Sequence, residues 1–432
     1  MIMMRHFMMV SAFWACAALA PAQEPPDGEP PGGEPPRPSS CLGCHLELDG
    51  LALEAAQKSK EDVHFEHGLS CHDCHGGDPD AGHDGDLLEA HNEDKGFLGK
   101  PERLKIPQFC ARCHADAVFM KQFNPQARVD QLSEYRTSNH GKRNADGDTN
   151  VAVCIDCHGV HGIRPPTDPR SWVHPTRVAD TCARCHNQVD LMDSYGITAS
   201  QHVGYKSSVH AEALYDKGDT SAPTCNDCHG SHGAAPPGVQ SVTAVCGSCH
   251  TREATLFRET ELKKGVDLDP CIKCTVCHDN HAVVAPTPEM MGVGPKSTCT
   301  SCHPPEVVAY EKIAAMSDAY EVLRKRHAEA HELLDAAESA GLEVSADQFA
   351  LQGAQNEIIE ARVLVHSFDQ ERFMEAVNKA QAIADAGVRA GEAAFEDLHG
   401  RRTGLALGLV FIAAVIAGLF LKIKEVEAAQ KS

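Results

Sequence analysis

Five residues recur nine times along this chain: a cysteine, two variable residues, a second cysteine and a histidine. The copies are Cys41-Leu-Gly-Cys44-His45, Cys71-His-Asp-Cys74-His75, Cys110-Ala-Arg-Cys113-His114, Cys154-Ile-Asp-Cys157-His158, Cys182-Ala-Arg-Cys185-His186, Cys225-Asn-Asp-Cys228-His229, Cys246-Gly-Ser-Cys249-His250, Cys274-Thr-Val-Cys277-His278 and Cys299-Thr-Ser-Cys302-His303. They use eighteen of the twenty cysteines. One C-x-x-C pair alone suits a zinc knuckle or a redox dithiol, but neither has a reason to place histidine after the second cysteine every time. Covalent haem attachment does. The two thiols add to the porphyrin vinyl groups as thioethers, and the adjacent imidazole reaches the iron from one face. The pattern predicts nine haems c, with the nine motif histidines as proximal ligands.

A second imidazole must close each iron if the haems only carry electrons. The array repeats as pairs of motifs, and the clearest two copies run in parallel. Ser138-Asn-His140, Cys154–His158, His161, Pro165-Pro166 and Cys182–His186 match Ser208-Val-His210, Cys225–His229, His232, Pro236-Pro237 and Cys246–His250. A looser copy precedes them, with His67 before Cys71–His75 and Cys110–His114. Another follows, with Cys274–His278, His281 and Cys299–His303, and the motif at His45 stands alone. Repeated placement marks His140, His161, His210, His232 and His281 as distal ligands, and His67, His91 and His202 are the further candidates. His64, His83 and His174 compete for the remaining position, while His72 reads as solvent-facing. Two imidazoles per iron give a low potential, because methionine is the ligand that raises it. Cys271 lies three residues before Cys274 and is left over as a spare buried thiol, an iron or substrate ligand, or an unpaired disulfide partner.

Positioning elements come next. Aromatics make up 5% of the 432 residues, with 34 glycines and 25 prolines, so side chains alone cannot fill a large core between Cys41 and His303. The fold expected there is mostly irregular with short helices, cored by the haems themselves. Residues 304–400 instead carry seams at three- and four-residue spacing: Ile313, Met316, Tyr320, Leu323, His327, Ala330, Leu334 and Ala337; then Leu351, Ala354, Ile358, Ala361, Val365 and Phe368; then Phe373, Ala376, Ala380, Ile383, Gly387 and Ala390. This predicts an antiparallel three-helix bundle or stalk, its first helix ended by Gly341 and its second opened by a capping box at Ser345-Ala-Asp-Gln348. His327, His331 and His366 read as ordinary helix histidines, with ligation of a haem packed on the bundle as the alternative.

Residues 1–22 read as a secretory signal with an Ala20-Pro-Ala22 cleavage site, and 23–40 as a proline-rich acidic linker. Residues 403–421 are uncharged and long enough to span a bilayer, which makes 422–432 a cytoplasmic tail. Gly404 and Gly408 permit a homodimer through that helix. A net charge of −22 excludes a nucleic-acid partner and points to redox partners with basic docking faces.

From Cys41 to His303 the chain resembles the multihaem c-type cytochromes with doubled C-x-x-C-H motifs, class III-like low-potential periplasmic carriers. The resemblance implies proximal ligation by each motif histidine and distal ligation by a further one. Quinol-oxidising relatives of the NapC/NirT type are more distantly similar and carry an N-terminal anchor. The expectation is an electron relay at the cytoplasmic membrane, its haem domain on the periplasmic side, fed by a quinol-oxidising membrane complex. The rival is a reductase of nitrite, hydroxylamine or tetrathionate at one open-coordination haem. A structural subunit that docks a reductase is a third class.

Overall fold

In the computed structural model, which describes residues 40–81, 87–236, 238–239, 242–260 and 273–431, the chain is mostly helical, and no strand occurs among those residues. The stretch expected to be a signal, nearly all of the expected linker, His83 and Cys271 lie outside them. The contacts divide the chain into two compact units. One comprises Met1–Lys105, Phe109–Val129 and Gly159–Arg164, the other Ile106–Gln108, Asp130–His158 and Pro165–Ser432.

The motifs sit on short helices, among them Ser40–Leu46, Cys71–His75, Ile106–His114, Cys154–His158, Pro175–His186, Cys225–His229 and Cys274–His278. In such a turn the two cysteines, three residues apart, and the histidine four residues after the first cysteine share one face. Val242–Ser248 and Cys299–Ser301 are 3-10 turns instead. Apolar packing around the motifs is thin; one small cluster gathers Ala179, Tyr205 and Ala211.

Beyond His303 the apolar spacing takes over. Three long helices, Val308–Ser339, Ser345–Leu364 and Gln370–Lys431, share one core. Met316, Tyr320, Leu323, Ala330, Leu334 and Ala337 are the buried stripe of the first, and Leu351, Ala354, Ile358 and Ala361 that of the second. Phe373, Ala376 and Ala380 of the third close the core. Its glycines allow close approach: a Cβ on Gly391 would stand 2.8 Å from that of Leu333. The first helix ends at Gly341, whose φ of +80° only glycine adopts freely, and the Leu342 amide returns to the Ala337 carbonyl at 3.0 Å. The capping box at Ser345 does not form. Val344 is buried in the core, the helix starts one residue early, and the Ser345 hydroxyl donates to Glu343 instead.

A larger correction concerns the third helix. It does not stop before a separate membrane segment; Gln370–Lys431 is one helix of 62 residues, about 93 Å at 1.5 Å per residue. No proline interrupts it, and an isolated glycine costs a helix only about 1 kcal/mol. From Thr403 to Leu421 every residue is exposed, and the mean hydropathy of its most apolar window is 2.7. This helix is long and apolar enough to anchor in a membrane.

Candidate haem centres

Each motif helix is held by its own variable residues. In the first motif of three pairs an aspartate occupies the third place and accepts the backbone amide that precedes the helix: Asp73 from Ser70 at 2.7 Å, Asp156 from Val153 at 2.7 Å and Asp227 from Thr224 at 2.8 Å. In the second motif of two pairs the same place is arginine. The Arg112 guanidinium donates to the Cys74 carbonyl and lies 4.5 Å from the Phe109 ring centre, and Arg184 donates to the Asp156 carbonyl over Trp172 at 4.0 Å. Aspartate starts one helix of a pair, and arginine ties the other to it. The alternation is present in the sequence itself, at places that the C-x-x-C-H pattern leaves open.

The histidines then pair. Ring centres lie 6.1 Å apart for His45 and His91, 5.9 Å for His114 and His64, 6.0 Å for His75 and His161, and 6.2 Å for His186 and His140. The series continues with 6.1 Å for His158 and His232, 6.5 Å for His250 and His210, 6.0 Å for His229 and His281, and 6.1 Å for His278 and His366. Ordinary aromatic contacts also fall in this range. What distinguishes these eight is that every pair joins one motif histidine to one non-motif histidine. Two metal–imidazole bonds of about 2 Å, carried on to the ring centres, add up to about 6 Å, so an iron fits between the members of each pair. Burial lowers the pKa of His140, His161, His186, His210, His229 and His278, which keeps them in the neutral form that binds a metal.

Backbone carbonyls fix the ring orientation at two of these centres. His75 donates from Nδ1 to the Gly99 carbonyl at 2.9 Å and His366 to that of Val363 at 3.0 Å, leaving Nε2 for the iron in each case. Asp62 serves two centres at once. One of its oxygens takes the His64 amide at 2.9 Å and the His64 ring at 2.7 Å; the other takes the amides of Gly162 at 2.7 Å and Ile163 at 2.8 Å, next to His161. Burial raises the pKa of this carboxyl, but the His64 ring and the three amides outweigh burial and bring it down to about 2. His161 itself has a φ of +49°, an uncommon conformation that these bonds hold in place. Asp62→Ala is expected to cost about 1–3 kcal/mol for the buried donors left unpaired. It should also loosen His64 and His161 together. High-spin ferric signal from two haems is the result to look for by electron paramagnetic resonance; Asp62→Asn, which keeps an acceptor oxygen on one side only, should disturb one of the two.

Two expected distal ligands lie elsewhere. His67 packs edge-on against Phe123 at 5.8 Å, and His64, three residues earlier on the same turn, faces His114 instead. Both nitrogens of His202 are engaged, Nε2 by Asp180 at 2.9 Å and Nδ1 by Asn187 at 3.2 Å. His174 caps the helix Pro175–His186, and His72 contacts the Ser70 hydroxyl at 2.7 Å. His366, read as an ordinary bundle histidine, faces His278. Among the described residues no ring pairs with His303.

Cysteines of successive motifs lie close enough to perturb one another. In the first unit this holds for Cys41 with Cys71 and Cys74 with Cys113. In the second it holds for Cys157 with Cys185, Cys182 with Cys225, Cys228 with Cys249, Cys246 with Cys274 and Cys277 with Cys299. Within each unit the order along the chain is therefore the order in space.

Comparison with known proteins bears on one pair. The family described as the doubled CXXCH motif matches residues 218–255, which hold Cys225–His229 and Cys246–His250. No curated protein and no solved structure matches the chain. Together, the matched stretch and the motifs indicate covalently bound haem c in the manner of the multihaem c-type cytochromes.

Proposed function

We propose that the protein is a membrane-anchored relay that carries electrons along nine covalently attached haems c on the periplasmic side of the cytoplasmic membrane. Its donor would be quinol-linked, its acceptors periplasmic or further out. The observation that supports this reading is the succession of neighbouring motif cysteines within each unit, on which consecutive haems would stand side by side. Bound haem iron supplies one-electron chemistry; the chain supplies spacing, axial imidazoles and burial. Paired imidazoles set low potentials.

The three long helices act in this reading as an antiparallel stalk between haem domain and bilayer. His366 precedes Gln370 at the start of the last helix, and Thr403 lies roughly 50 Å further along it. The haem between His278 and His366 is thereby held well away from lipid. A partner protein, rather than quinol itself, meets this haem. Gly404 and Gly408 leave room for a second copy of the membrane helix.

A potentiometric titration of the purified protein tests the relay. Reduction should spread over a range of low potentials, and a protein donor too large to reach most haems should still reduce all of them. A haem population that stays oxidised until a small mediator is added would break the chain.

A further inference from the structure

The two clearest modules start their distal helices alike. The Ser138 hydroxyl accepts the Gly141 amide at 3.0 Å and the Ser208 hydroxyl the Ala211 amide at 3.2 Å, so His140 and His210 each follow a buried serine by two residues. His140 faces His186 and His210 faces His250. Beyond these histidines the modules differ in length: thirteen residues separate His140 from Cys154, and fourteen separate His210 from Cys225.

The helix itself absorbs the extra residue. Asn139–Ala145 is an α-helix, whereas Val209–Ala211 runs into a π turn over Glu212–Asp216, in which the Lys217 amide donates to the Glu212 carbonyl at 3.2 Å. A π turn takes one residue more than an α turn, so the fifth residue after His210 comes to the place that the fourth takes after His140. Those residues are Tyr215 and Asn144, and each stands ten residues before the first cysteine of its module. Leu214, which a plain α-helix would put there, is buried at 1% exposure.

Both residues carry a buried polar atom that the chain leaves unsatisfied. Asn144 is 7% exposed; its carbonyl accepts the Gly147 amide at 3.1 Å, but its Nδ2 has no acceptor. The Tyr215 hydroxyl is buried too and makes no hydrogen bond of ordinary geometry, although the Lys206 ammonium lies 3.9 Å from its ring centre. One orphaned donor costs stability and calls for a cause. Two at the same place in a repeated module call for a common one. The side chains differ, an amide and a phenol, and what they share is a hydrogen to donate.

A bound haem brings the acceptor, because it carries two propionate carboxylates. We infer that Asn144 and Tyr215 each donate a hydrogen bond to a propionate of the haem whose distal histidine lies one turn earlier. Asn144 serves the haem at Cys182 and Cys185, and Tyr215 the haem at Cys246 and Cys249. A hydrogen bond to a charged acceptor in a buried site is among the stronger ones. Its positive end also faces the electron that arrives on reduction, so each donor raises the potential of one member of the relay. The inference rests on the haem loading proposed above.

The holoprotein, with its haem count measured on the same sample, tests it. Tyr215→Phe removes one hydroxyl and leaves the ring, and Asn144→Leu is its counterpart in the other module. Each variant should keep nine low-spin haems, lower the potential of one of them and shift the carboxylate bands of one haem in infrared redox difference spectra. That haem's potential should also depend more steeply on pH near neutrality, because a propionate without its donor takes up a proton more readily. His140→Ala and His210→Ala, which each make one haem high-spin, mark the haem to watch. Adding Asn144→Leu to the first, or Tyr215→Phe to the second, should lower the potential at which the high-spin ferric signal disappears. Nine haems with potentials and carboxylate bands unchanged in both variants overturn the inference, leave the relay standing and assign the two donors to trapped water. A shift at a haem other than the marked one overturns it as well. A protein that lacks the haem at Cys182 or at Cys246 contradicts the nine-haem relay and removes the acceptor with it.

Discussion

A variant ending at Arg402 is expected to leave the membrane fraction entirely and to appear as a soluble protein with its haem content unchanged. Residues 403–421 are exposed along their whole length, and Leu, Ile, Phe and Val there each favour insertion by about 0.3–0.6 kcal/mol near the centre of a membrane helix. Over such a segment the sum decides the location of the chain. The part of the helix that remains, from Gln370 to Arg402, keeps Phe373, Ala376, Ala380, Ala384 and Val388 in the shared core, so its fold does not depend on lipid. Fractionation of the exported variant checks this. Continued membrane association would mean that another segment or a bound partner holds the protein there.

The second large effect is expected at His366. Its ring lies 6.1 Å from that of His278, with the two planes 21° apart, and its Nδ1 is bonded to the Val363 carbonyl. His366→Ala removes one axial imidazole and no core side chain, since His366 does not belong to the apolar cluster of the three helices. One haem should change from low-spin to high-spin, and carbon monoxide binding should rise by one per chain. His67→Ala and His202→Ala should leave the spin state of every haem unchanged, because those rings face Phe123 and Asp180. The reverse outcome, a response at His202 and none at His366, would reassign the ligands.

How far the sequence discloses this arrangement depends on what fixes each part. The helical seams were legible because a period of 3.6 is local: Tyr320, Leu323, Ala330 and Leu334 announce their stripe within a few turns, and they are buried together. The uninterrupted helix through Arg401 was not, because a charged pair suggests a boundary while nothing in it breaks helical hydrogen bonding. The motif positions needed no structure. Choosing between His64 and His67 did, since both lie on the turn after Asp62 and only the bonds from its carboxylate turn one ring toward His114. His366 was hidden for another reason: its partner is far away in sequence, and the bundle around it explains a histidine without any iron. The paired aspartates and arginines were in plain view and went unread because the motif is usually defined without them.

The central claim is the number of haems held. Intact mass of the full purified protein, together with pyridine haemochrome analysis of the same sample, should give nine covalently attached haems per chain, one for every C-x-x-C-H sequence from Cys41 to His303. Eight or fewer would contradict the account, and the motif at Cys274–His278, which Cys271 precedes by a single C-x-x-C step, would be the first to inspect.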